Sequence, residues 1–78
     1  MTPEQIDQRI IKSIGMLKRG LEMANTPMSD PVSILSHIRT EVGYLNAWSI
    51  DYPLKARRLD HVAGLWEELA ARLKIKLS

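Results

Sequence analysis

Apolar residues recur along this chain at helical spacing in three separate runs. In the first, Ile6, Ile10, Ile14, Leu17, Leu21 and Ala24 are separated by steps of four, four, three, four and three. In the second stand Ile34, Leu35, Ile38, Val42 and Leu45, and in the third Leu59, Val62, Trp66, Leu69 and Leu73. Steps of three and four keep apolar side chains on one face of an α-helix, whereas a strand would require alternation. Only the ragged end from Leu73 to Leu77 alternates at all.

Each run opens on the same grammar, a small polar residue just ahead of a proline: Thr2-Pro3, Asp30-Pro31 and Asp51-Tyr52-Pro53. A side-chain oxygen there can accept from the unpaired N–H groups of a first helical turn, and proline gives up only a donor that would be unpaired anyway. Glu4 and Gln5 suit the electropositive first turn of the first helix. Asn25-Thr26-Pro27 should end that helix, because the residue before a proline is pushed out of helical conformation. The pattern predicts helices over residues 3–24, 31–48 and 53–74. Their joints, residues 25–30 and 49–52, are short enough to make successive helices antiparallel neighbours. The expected fold is all-α, an up-down-up three-helix bundle forming one domain over residues 1–78. Gly15 and Gly20 fall inside the first helix, where each costs about 1 kcal/mol relative to alanine. Either the helix is locally weak there or another backbone approaches closely.

Composition adds constraints. A chain of 78 residues buries only about 60% of the surface it exposes when unfolded. It has no cysteine, so neither disulfides nor thiolate-bound zinc can reinforce the core. Dimerisation is then the expected reinforcement, using Met16, Met23, Leu54 and Leu65, which fall off the three stripes. No apolar stretch approaches the roughly 20 residues that span a bilayer, and residues 1–9 carry both charge signs with no apolar segment behind them. The expected location is the cytoplasm, without membrane association. A net charge of +2 is too small to imply a polyanionic partner by itself.

Chemistry is sparse. No Gly-x-Ser-x-Gly elbow surrounds any serine, and all four glycines lie in helical patterns instead of phosphate-cradling loops. His37 and Glu41 share a one-turn spacing that would suit two metal ligands, but the only other histidine is His61 on the third helix. No enzyme, cofactor or metal centre is expected. On the second helix, His37, Glu41, Tyr44 and Trp48 project as one strip beside the core face. Aromatic residues in such a strip can anchor a protein interface; a simpler role is to roof the core, with His37 paired to Glu41. Met16 and Met23, among Arg9, Lys12 and Arg19, offer an adaptable seam on the first helix. Lys55, Arg57 and Arg58 crowd the start of the third helix, where the helix dipole disfavours cations, so they are candidates for phosphate contacts.

These features predict a small non-enzymatic binding protein, an adaptor, inhibitor or regulatory subunit. It would dock on another protein through His37, Glu41, Tyr44, Trp48, Met16 and Met23, and form a homodimer. The alternative is a DNA-binding transcriptional or mobile-element regulator that uses Lys55, Arg57 and Arg58 as the opening residues of a reading helix.

Overall fold

The structure, a computed structural model, describes residues 2–26 and 30–77, with side chains for residues 2–26 and 30–75. It is an all-α three-helix bundle: α1 (Pro3–Ala24), α2 (Pro31–Asp51) and α3 (Ala56–Leu77), with a single 3₁₀ turn over Pro53–Lys55 leading into α3. The expected proline stop at Pro27 lies outside the described residues. None of the described helices is long and apolar enough to cross a membrane.

Two of the three helix starts are built as expected. Thr2 Oγ1 accepts from the Gln5 N–H at 3.2 Å while Gln5 Oε1 accepts from the Thr2 N–H at 2.8 Å, a reciprocal capping box. Asp30 Oδ1 accepts from the Val32 N–H at 3.1 Å. The third start differs. Asp51 is the last helical residue of α2, and Tyr52, with φ −128° and ψ 74°, makes the break alone. Its N–H still closes the α2 ladder on the Trp48 carbonyl and its own carbonyl accepts from the Lys55 N–H. The expected turn over residues 49–52 therefore shrinks to one residue, because only the residue before Pro53 is barred from helical conformation. At the other end α3 runs on to Leu77, and the alternation after Leu73 is helix: no partner strand exists among the described residues.

The core follows the three stripes with one systematic shift. All five expected α3 positions are buried, joined by Ala63. In α1 the buried positions are Ile6, Ile10, Ser13, Leu17, Gly20 and Ala24, a regular four, three, four, three, four seam. Ile14 and Leu21 are half-buried beside it. The small residues Ser13 and Gly20 occupy seam positions because α3 fills the space opposite them. Trp66 Nε1 donates to Ser13 Oγ at 2.8 Å in the buried interior, and a Cβ on Gly20 would sit 3.2 Å from Leu69 Cδ2 and 3.8 Å from Trp66 Cζ3. The close approach at Gly20 comes from side chains of α3 and not from the backbone that the sequence suggested. Gly15 has nothing within 4 Å of a Cβ, so no approach explains it.

In α2 the same shift brings Glu41, not Val42, into the seam with Ile34, Ile38 and Leu45. Of the four apolar residues expected to lie spare for a dimer, Met16 and Leu65 are half-buried against the core. Met23 and Leu54 are exposed.

Trp66 is 4% exposed and hydrogen-bonded, whereas Trp48 is only half-buried. Trp66→Ala should cost roughly 3–5 kcal/mol in chemical denaturation and Trp48→Ala clearly less; the reverse order would contradict this packing. The glycines supply a second contrast. Gly15→Ala should raise stability by up to about 1 kcal/mol from helix propensity alone. Gly20→Ala should gain nothing or lose stability, because fully packed Leu69 has no room to retreat. Equal gains at both positions in thermal melts would show that α3 yields freely.

Candidate functional site

The seams set how the helices touch. α3 packs along both partners, most closely with α2, while α1 and α2 approach each other least. Between α1 and α2 this leaves a groove of about 320 Å³, with an overwhelmingly apolar lining. α1 contributes Met16, Gly20 and Met23 with Arg9 and Arg19; α2 contributes Ile34, His37, Thr40, Glu41 and Tyr44; the Trp66 ring of α3 is reached between them. Gly20 belongs to this wall as well as to the core, since a side chain there would stand over Trp66.

The sequence presents the aromatic strip of α2 and the two methionines of α1 as separate surfaces. The structure joins them. His37, Glu41 and Tyr44 line the groove from one side and Met16 and Met23 from the other. Trp48 does not line it, but stands behind Tyr44 with ring centroids 5.6 Å apart and planes 16° apart. Met16 is half-buried, so it forms wall and core together, while Met23 and Tyr44, each 53% exposed, stand at the rim.

One end of the groove is held by an ion pair. Glu41 is 3% exposed, and its two carboxylate oxygens both accept from Arg9 Nη2 of α1, Oε2 at 2.8 Å and Oε1 more closely still. The Arg9 guanidinium carbon lies 5.3 Å from the Trp48 ring centroid, a cation–π geometry. Glu41, Arg9, Trp48 and Tyr44 thus form one continuous chain of contacts across the two helices. Glu41 turns inward to Arg9 and not along its own helix to His37, so the i, i+4 pair expected on α2 is not made. Arg9 Nη1 is buried with no acceptor among the described residues. Arg9 appears in the sequence only as a neighbour of the methionines; its signal was its place seven residues before Met16, which in turn stands seven before Met23.

The basic cluster has a different setting. Lys55 Nζ donates to Asp7 Oδ2 at 3.0 Å and Arg58 Nη1 to Asp7 Oδ1 at 3.1 Å. Two of its three cations therefore tie the start of α3 to α1. These bridges are substantially exposed, so their worth lies in orientation more than in stability. Arg57 is exposed. His61 is exposed on α3, and no group of three His, Cys, Asp or Glu side chains placed to hold a metal is found among the described residues. No family model matches the chain, and neither does any curated protein or solved structure.

The Arg9–Glu41 pair yields a test of how the groove is held. Arg9→Leu strands a buried carboxylate and should destabilise the fold by about 3 kcal/mol, less than a fully buried pair would lose because Arg9 keeps some water contact. Arg9→Leu combined with Glu41→Leu should recover most of that loss in urea denaturation. A double variant as unstable as the single one would mean that the geometry of the pair, beyond its charge balance, holds the helices apart.

Proposed function

We propose that this chain is a small non-enzymatic binding protein of the cytoplasm, an adaptor, inhibitor or regulatory subunit, which captures a helix of another protein in the α1/α2 groove. The observation that carries the reading is the groove itself: an open, apolar trough between α1 and α2, with exposed Met23 on the rim of one helix and exposed Tyr44 on the rim of the other. An amphipathic helix laid into a groove between helices is a recurring recognition mode. Methionine adapts to the shape of an incoming side chain, and tyrosine brings contact area with a polar handle. Holding Tyr44 against Trp48, itself beneath Arg9, lowers the entropy lost when the aromatic wall is covered. The DNA-binding alternative draws on Lys55, Arg57 and Arg58, and two of those cations are already engaged by Asp7.

Because Met23 and Tyr44 are exposed, replacing both should spare the fold. Met23→Ser with Tyr44→Ala should leave the circular dichroism unchanged and weaken capture of the partner from host lysate at least about tenfold, as truncation of an aromatic interface anchor does. Lys55→Ala with Arg57→Ala and Arg58→Ala should leave capture intact. Tight, salt-sensitive duplex DNA binding by the unmodified chain, lost in the basic variant and kept in the groove variant, would replace this reading with that of the regulator.

A further inference from the structure

We infer that the helix the groove receives is acidic along one flank, with two carboxylates seven residues apart beside its apolar stripe. The inference rests on the proposed groove function and adds the chemistry of the partner. Its basis is the distribution of charge around the trough. Arg9, Arg19 and His37 line it, while its one carboxylate, Glu41, is buried and bound by Arg9. No free negative charge is therefore presented by the lining.

The rim is cationic on one side only. On α1, Lys12, Met16, Arg19 and Met23 follow at steps of four, three and four, so cations and thioethers alternate along one strip; Met16, Arg19 and Met23 line the trough, and Lys12 stands one turn before Met16, just outside the lining. Lys12 and Arg19 are both exposed and stand two turns, about 10.5 Å, apart along the helix axis. Glu22 lies further round α1, four residues from Lys18 and outside the lining. Across the trough α2 presents His37, Thr40 and Tyr44, and no carboxylate besides the bound Glu41. A helix lying along the trough meets Lys12 and Arg19 with the flank it turns to α1. Carboxylates at i and i+7 match their spacing, whereas lysines there would place like charges together as water is excluded.

A second copy of this chain answers the description less well. Its α3 does carry Asp60 and Glu67 seven apart on the exposed face. Gly64 and Ala71 stand between and beside them, and these have too little side chain to fill a trough of about 320 Å³. The partner helix must bring large apolar residues with its acids.

The test uses the full chain and three synthetic helical peptides. Two carry leucines at steps of four, three and four, with either two glutamates or two lysines seven apart on one flank; the third has the composition of the glutamate peptide in scrambled order. Calorimetry at low salt should give the glutamate peptide at least about tenfold tighter binding than the lysine peptide, roughly 1.4 kcal/mol, with the difference shrinking at high salt. The variant Lys12→Glu with Arg19→Glu, its helicity verified by circular dichroism, should reverse the preference. Equal binding of both patterned peptides, unchanged in that variant, would overturn the acidic partner while leaving the groove reading intact. Patterned peptides that bind no better than the scrambled one would overturn both. Chain dimers that the glutamate peptide fails to dissociate, with Asp60→Lys and Glu67→Lys together abolishing them, would assign the groove to a second copy.

Discussion

The bundle depends on the seat that α1 provides for Trp66. A tryptophan in a core of this size needs both volume and a partner for its indole N–H. Ser13 supplies the acceptor at 2.8 Å, and Gly20, two turns further on, supplies the space over Trp66 and Leu69. Large residues on α3 therefore face small ones on α1. This sets the height at which α1 rides on α3 and its distance from α2. The groove follows from the same choice: α1 is drawn toward α3 at the line where its side chains are smallest, and its methionines are left to face α2 across open space.

The shift between the expected and observed core has one cause. Choosing apolar residue types placed Ile14, Leu21 and Val42 in the seam, and those residues do pack beside it. The heptad geometry ran instead through Ser13, Gly20 and Glu41, which hydrophobicity alone passes over. Each is explained only by its partner on another helix: Trp66 for Ser13, Leu69 for Gly20, Arg9 for Glu41. Helix number and most boundaries were legible because caps, prolines and periodicity are local signals. Pairings between residues 32 or 53 positions apart are not local, and one sequence does not display them. The same limit made the groove appear as two unrelated surfaces. Its α2 strip and α1 methionines were each visible in projection, but their meeting depends on how α3 seats both helices.

Charge is used in this protein mostly to orient. Asp7 gathers Lys55 and Arg58 at one end of the bundle, and Arg9 reaches Glu41 across the wall of the groove. Both arrangements link α1 to the α2/α3 pair, and both lie toward the N-terminal half of α1. The other half, from Met16 to Met23, borders the groove with its thioethers and with Arg19. One half of α1 is fastened electrostatically and the other lines the apolar groove.

The one-residue break at Tyr52 has a consequence for the order of assembly. α2 and α3, joined almost without a loop, form the most closely packed pair, and a hairpin with so short a closure forms its contacts at little entropic cost. The contacts that seat α1, on Trp66 and through its ion pairs, run to residues of both arms of that hairpin and need it closed. The groove is consequently a property of the finished fold, absent from any state in which α1 is undocked. Any ligand that needs the docked form of α1 would shift the whole chain toward its native state by mass action.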